Sequence, residues 1–153
     1  MAKTLYLIKS AHYIKLPNGE FVNLVGYGIQ SNIDKRLRCY IGHTGTRQEY
    51  ALLYYGPDDF IRDLERYVKH KWKSSSVNIG DWTMEWLDPE SGKTLADLEK
   101  FVDDKIAKDE LPIRKVKRDH LPFTTGYNKP LYTMSAIKAE PERFLEPVVL
   151  TSL

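Results

Sequence analysis

Residues 25–44, VGYGIQSNIDKRLRCYIGHT, decide the fold that the sequence predicts. Two short tyrosine–glycine groups flank the polar, turn-like stretch SNIDKR, and LRCYIG alternates as a strand does. Upstream, the Pro-Asn-Gly turn signal at 17–19 separates two further β-prone stretches, and residues 4–9, TLYLIK, are apolar. The first forty residues therefore predict an antiparallel sheet of about three strands.

Two amphipathic helices are predicted downstream. Residues 58–72 follow Pro57 and begin with two acidic residues at the positive end of the helix dipole. Thr94 is followed at capping-box distance by Asp97, which predicts a second helix that ends near Lys108.

The segments outside these helices are predicted to be a mixture of strands, loops and irregular chain. WTMEWLD alternates and predicts a strand, whereas KSSSVNIGD predicts a loop. Residues 46–55, TRQEYALLYY, fit either a strand or a short helix. Residues 111–130 hold three prolines and predict an irregular segment, followed by a C-terminal extension over 131–153.

The order of elements predicts an α+β fold with a small antiparallel sheet flanked by helices, in one domain over 1–153. Composition is that of a globular protein, 42% hydrophobic and 29% charged, with a net charge of only +2. The single cysteine excludes an internal disulfide. No apolar run suits a signal peptide or a membrane span, so we expect a cytoplasmic protein with no membrane partner.

The run VGY-GI…CYIGHTG resembles the paired strands of GIY-YIG nucleases. In that family, two triplets lie on neighbouring strands, the next helix supplies an arginine, a later helix a glutamate, and an asparagine follows. The resemblance covers about 22–128 and leaves 1–24 as an added N-terminal hairpin. The first triplet is Val-Gly-Tyr here, and 43–57 is longer than usual, so the arginine is either Arg62 or Arg66.

The resemblance implies a metal-dependent DNA endonuclease that hydrolyses phosphodiester bonds. It assigns Tyr27 as the general base and Tyr40 as its partner, while His43 shares the base role or contacts phosphate. Glu99 would hold Mg²⁺ or Mn²⁺, and one of the two arginines would grip the phosphate. Asn128 would organise the site.

Basic residues on several segments are expected to bind duplex or branched DNA through its phosphates, with little sequence preference and strong salt dependence. Specificity would then come from a homodimer or a partner protein. Small free-standing members of the family occur in bacteriophages, which makes a viral source plausible. The proposed DNA-binding residues are Lys35, Arg36, Arg38, Lys69, Lys71, Arg114, Lys115, Lys117 and Arg118.

Each residue also has a plainer interpretation. Strand tyrosines are usually cross-strand packing pairs, Glu99 is by default a solvated carboxylate, and Arg66 is placed to pair with a neighbouring acid. The alternative is therefore a non-catalytic GIY-YIG-like module that binds nucleic acid or protein. A third interpretation is an unrelated α+β interaction domain.

Overall fold

A computed structural model describes residues 2–30, 48–79, 82–118, 123–124 and 134–150. The strands are β1 (Ala2–Lys15), β2 (Phe21–Gln30), β3 (Gln48–Pro57), β4 (Ser76–Ile79), β5 (Trp82–Leu87), β6 (Arg114–Val116), β7 (Phe123–Thr124) and β8 (Leu145–Pro147). The helices are α1 (Asp58–Lys71), α2 (Leu95–Lys108), α3 (Met134–Ala139) and α4 (Pro141–Phe144), with 3₁₀ turns at Lys73–Ser75 and Pro89–Ser91. The α+β class is confirmed.

The eight strands of the described residues join one sheet, which is larger than the sequence predicts. Its order is β4-β5-β2-β1-β3-β6-β8, with β7 pairing to β3. Every pairing is antiparallel. The predicted strand LRCYIG lies outside the described residues.

The hairpin of β1 and β2, which includes the expected N-terminal hairpin of residues 1–24, lies at the centre of this sheet. Strand β1 pairs with β2 on one side and with β3 on the other, so that Leu7 lies opposite both Tyr27 and Leu52. The predicted turn is present, and Gly19 supplies its positive φ of 91°. Residues 4–9, TLYLIK, and the β-prone residues just before the turn form one strand, β1, with a register shift between Lys9 and Tyr13.

Strand β1 contributes to two hydrophobic cores because successive side chains point to opposite faces of a sheet. Leu5 and Leu7 enter the first core, under α1 and α2. Tyr6 and Ile8 enter the second core, which includes side chains from α3, α4 and β8. Burial on both faces explains the uninterrupted apolar run TLYLI.

Helix α1 begins where the sequence predicts. Pro57 precedes it in an extended conformation, and Asp58 and Asp59 occupy its first turn. Ile61, Leu64 and Val68 are buried against the sheet. The prediction of this helix is confirmed.

Helix α2 is also confirmed, together with its capping box. The Thr94 hydroxyl accepts a hydrogen bond from the Asp97 amide at 3.2 Å, and the Asp97 carboxylate accepts one from the Thr94 amide at 2.9 Å. Leu98, Val102 and Ile106 form its buried stripe.

The two helices run antiparallel along the same face of the sheet. The rings of Tyr67 on α1 and Phe101 on α2 stack at 5.4 Å, and Lys105 lies 4.3 Å from the centre of the Tyr67 ring. One turn further along α1, Trp72 meets Lys93, which precedes α2. The end of α1 therefore lies beside the start of α2.

Strands β3 and β5 lie where the sequence allows or predicts a strand, whereas β4 does not. Of residues 46–55, which fit two interpretations, the described part, 48–55, belongs to β3, and the predicted strand at WTMEWLD is β5. The predicted loop at KSSSVNIGD is wrong for its described residues, 73–79, which form a 3₁₀ turn and β4. Strand β4 pairs with the following strand, β5. The polar composition of KSSSVNIGD does not indicate this pairing.

Gly56 of β3 lies close to the chain at Pro112 and Ile113, so a larger residue there should lower stability. A Cβ added to Gly56 would lie 2.9 Å from both Ile113 Cγ1 and the carbonyl oxygen of Pro112. Because the second atom belongs to the backbone, Gly56→Ala is expected to lower the free energy of unfolding by about 1–2 kcal/mol. Urea denaturation measures this loss, and an unchanged midpoint would mean that the chain at Pro112 moves away freely.

Candidate functional site

Strand β6 places a lysine beneath α2. Lys115 lies opposite Tyr54 of β3, and Arg114 lies opposite Tyr55. Ile113 belongs to the first core and Val116 to the second, so the strand alternates between the two faces of the sheet. Lys115 therefore shares the helix-covered face with Tyr54.

There it joins an ionic cluster formed by Tyr54, Glu99, Asp103, Lys115 and Arg118. The Tyr54 hydroxyl donates to Asp103 Oδ1 at 2.7 Å. The Lys115 ammonium donates to Asp103 Oδ2 at 2.9 Å and to Glu99 Oε2 at 3.2 Å. Arg118 donates to the same Glu99 oxygen. Glu99 and Asp103 come from adjacent turns of α2 and share Lys115 as a common partner.

The cluster is shielded from water on one side only. The side chains of Asp103 and Lys115 are 9% and 12% exposed, that of Glu99 is 17% exposed, and that of Arg118 is 66% exposed. Arg118 thus forms the solvent side of the cluster, and Tyr54 forms its buried end.

Burial and charge shift the protonation equilibria here in a consistent way. Burial alone would raise the pKa of Glu99, but hydrogen bonds from Arg118 and Lys115 and their charges outweigh it and lower this pKa. Burial would lower the pKa of Lys115, but its hydrogen bond to Asp103 and the two negative charges raise it. Burial and the neighbouring Asp103 raise the pKa of Tyr54 well above its usual value. At neutral pH Glu99 and Lys115 are therefore charged, and Tyr54 is a neutral donor.

Three residues that the sequence singles out meet in this cluster: Glu99, Lys115 and Arg118. Glu99 is not the solvated carboxylate of the plainer interpretation. Tyr54 and Asp103 were missed, because a tyrosine in YALLYY and an aspartate in FVDDK have no distinctive sequence signal. The one available sign is the spacing of four residues between Glu99 and Asp103, which places both on one flank of a helix.

The basic side chains of residues 114–118 do not share one surface, because they contact two different partners. Arg114 pairs with Glu142 at 2.9 Å, and Lys117 donates to the Glu142 carbonyl at 3.1 Å. Both therefore contact α4, whereas Lys115 and Arg118 contact Glu99. Residues 114–116, which lie in the predicted irregular segment, form strand β6 instead.

The two candidate arginines of α1 do not approach Glu99. Counting about 100° per residue, Arg62 lies roughly 140° and Arg66 roughly 100° around α1 from Tyr67, which contacts α2. On α2, Glu99 lies roughly 160° from Phe101, on the flank away from α1. Arg62 pairs with Asp58 at 3.0 Å and Arg66 with Asp63 at 3.7 Å, both on the surface.

Tyr27 is fully buried in the first core, which is the packing role of the plainer interpretation. The strand that carries it has neighbours on both sides at this level: Gly26 lies opposite Ile8 of β1 and opposite Trp86 of β5. Tyr40, His43 and Asn128 lie outside the described residues, as do Lys35, Arg36 and Arg38.

A second group of cations lies on the outer side of α1. Arg62, Arg66 and Lys69 fall within roughly 60° of one another around the helix, and His70 extends this surface, which we call the basic face. Lys69 forms no ion pair with any residue that the structure describes. Lys71 points instead toward α2, with its ammonium 5.9 Å from the Tyr67 ring, and likewise has no described ion-pair partner.

The divalent metal that the resemblance implies does not fit the ionic cluster as it stands. Mg²⁺ takes one or two carboxylates together with phosphate oxygens. Here the Lys115 ammonium already lies between Glu99 and Asp103, and Arg118 occupies the outer side of Glu99. Within the described ranges, no three His, Cys, Asp or Glu side chains are grouped closely enough to hold a metal ion.

Comparison of the sequence with protein-family models and with curated proteins gave no match, and comparison with solved structures gave none either. The resemblance to GIY-YIG nucleases thus depends on the residues quoted above. None of the helices in the described part of the chain is long and apolar enough to cross a membrane.

Proposed function

We propose that this protein binds DNA through the basic face of α1. The observation that supports this most directly is the charge of residues 66–80, RYVKHKWKSSSVNIG, which include one arginine and three lysines and no acidic residue. On the basic face, Arg66 is 77% exposed and has only a surface pair with Asp63, and Lys69 is not neutralised by a carboxylate of the described chain.

The position of these cations suits a phosphate backbone better than a small anion. Arg62, Arg66 and Lys69 lie over about two turns of the outer side of α1, or roughly 10 Å at 1.5 Å per residue, so they are spread over more than one phosphate rather than focused on one point. Contacts of this kind carry no sequence information. The proposed binding is therefore sequence-tolerant.

A double variant tests this binding. Arg66→Gln with Lys69→Gln is expected to weaken binding to a 20-base-pair duplex about tenfold, and to reduce the slope of log affinity against log salt by about two. Fluorescence anisotropy at several salt concentrations measures both quantities. The control is Lys100→Gln with Lys108→Gln, which removes the same charge from exposed positions of α2. If both doubles lose affinity equally, the basic face is not the DNA site.

Hydrolysis of the bound DNA is a second candidate function. Glu99 favours it, because this carboxylate, which the resemblance assigns to the metal, lies beside Lys115 and Arg118, two cations suited to phosphate. A metal would have to displace Lys115 before it could reach both carboxylates.

The same protein samples test cleavage. Supercoiled plasmid is incubated with Mg²⁺ or Mn²⁺ and wild-type protein, Glu99→Gln, or Glu142→Gln, whose side chain is 87% exposed. Nicking that Glu99→Gln alone abolishes supports a nuclease. Binding without nicking supports the non-catalytic module.

A further inference from the structure

A cleft of about 570 Å³ opens between the β1–β2 turn and the start of α2, separate from both the ionic cluster and the basic face. Small-ligand sites in proteins span about 300–1,000 Å³. The cleft has an apolar floor, one exposed ring and two basic side chains. These are Val25, Leu87, Leu95, Phe21, Lys9 and Lys93.

Phe21 is the unusual residue of this cleft. Phe21 is 64% exposed, while Val25 and Leu87 beside it belong to the first core. Lys15 lies 5.9 Å from the centre of the Phe21 ring. An exposed aromatic ring at the edge of an apolar floor offers a face on which another aromatic group can stack.

The two lysines approach the cleft from different elements. Lys9 lies opposite Val25 in the register of β1 and β2, so its side chain is on the same face as the floor. Lys93 precedes α2, with its ammonium 5.8 Å from the Trp72 ring. Neither forms an ion pair with a residue in the described ranges. Both are therefore available to an anion.

Carboxylates complete the lining. Glu20 and Glu90 are exposed beside the cleft, and Asp88, whose Oδ1 accepts from the Glu90 amide at 3.0 Å, lies next to them. Carboxylate oxygens accept hydrogen bonds from the amino groups of nucleobases. A ligand with an aromatic, amino-bearing part and an anionic part matches all three features of the cleft.

We propose that the cleft binds one unpaired nucleotide, with its base stacked on Phe21 and its phosphate held by Lys9 and Lys93. This rests on the proposed binding of DNA: the basic face holds duplex backbone, and the cleft takes a base from a single-stranded end or branch. A free mononucleotide has the same chemistry, so the test includes both sources.

Fluorescence anisotropy of the full chain with a labelled ten-nucleotide oligo(dA) tests the site, and unlabelled AMP serves as competitor. Phe21→Ala is expected to weaken binding of the single strand about tenfold, since stacking on an aromatic side chain contributes strongly to such binding. Binding of the 20-base-pair duplex should not change. Phe21→Tyr should retain wild-type affinity, and Lys9→Gln should weaken the single strand alone.

Phe60→Ala is the matched control, because Phe60 is 41% exposed on α1 and does not line the cleft. Displacement of the oligonucleotide by AMP would assign the site to free nucleotides, and its absence to strands. Equal affinity of Phe21→Ala and Phe60→Ala for the single strand would overturn the proposal, as would failure of wild-type protein to bind either probe. If the Arg66→Gln, Lys69→Gln double leaves duplex affinity unchanged while Phe21→Ala still loses the single strand, the proposed function fails and the cleft remains.

Discussion

Replacement of Lys115 by methionine is expected to lower the free energy of unfolding by about 2–4 kcal/mol. Methionine has similar length, so the packing under α2 is largely kept while the charge is lost. Glu99 and Asp103 would then face each other from adjacent turns as like charges, with side chains only 17% and 9% exposed. Glu99 would keep Arg118, which is why the expected loss is below the full cost of a deeply buried unpaired charge.

Urea denaturation followed by tryptophan fluorescence measures this loss. Lys100→Met is the control, because it breaks a surface pair on the same helix, Lys100 with Asp104 at 3.0 Å, and should cost less than about 0.5 kcal/mol. Adding Glu99→Gln to Lys115→Met should restore part of the stability, since it removes one of the two like charges. Equal losses in the two single variants would contradict the buried role of Lys115.

Tyr54→Phe is expected to cost about 2 kcal/mol at neutral pH. The change leaves a buried charged acceptor, Asp103 Oδ1, without the hydroxyl that donates to it at 2.7 Å. The ring itself, which belongs to the first core, is preserved. Tyr55→Phe is the control on the same strand, because Tyr55 is only partly buried and lies on the opposite face.

The same variant changes the response to alkali. Burial and Asp103 raise the pKa of Tyr54 above its value in the unfolded chain, which is about 10. The unfolded chain therefore releases this proton first, so the stabilisation is complete below about pH 10 and is lost as pH rises through the folded-state pKa. Lys115, whose pKa is also raised, acts in the same direction.

Unfolding midpoints between pH 8 and 11.5 test this directly. Wild-type protein should lose stability across this range more steeply than Tyr54→Phe. Parallel curves for the two proteins would show that Tyr54 does not titrate with unfolding.

The two long helices could be predicted from the sequence because their boundaries are set locally. Pro57 with the acidic residues after it, and Thr94 with Asp97, need no distant partner to act as helix starts. The strand at WTMEWLD follows equally from its alternation.

The sheet order could not be read in this way, because it depends on pairing between distant segments. Strand β3 lies some 45 residues from β1 in sequence and still forms one of its two neighbours. An apolar run such as TLYLIK predicts a strand but does not show that both of its faces are covered.

Only part of the candidate site could be predicted, because the rest also depends on contacts between distant segments. Glu99 was assigned correctly to a helix, but its partners depend on the face that β6 presents to α2. In the run IRKVKR, strand alternation places the Lys115 side chain under α2 and the Arg114 side chain on the opposite face of the sheet. The composition of the run does not distinguish the two residues. The arginines of α1 are separated from Glu99 because α1 uses its Tyr67 side to contact α2.

The central strand has a consequence for how the molecule comes apart. Leu5 and Leu7 belong to one core and Tyr6 and Ile8 to the other, so neither layer can detach without exposing side chains of the strand that supports the opposite layer. Local unfolding of α3 and α4, or of the strands at the sheet edges, should therefore stop at β1. Amide protons of β1 should exchange only through global unfolding, and the two cores should melt in a single cooperative transition.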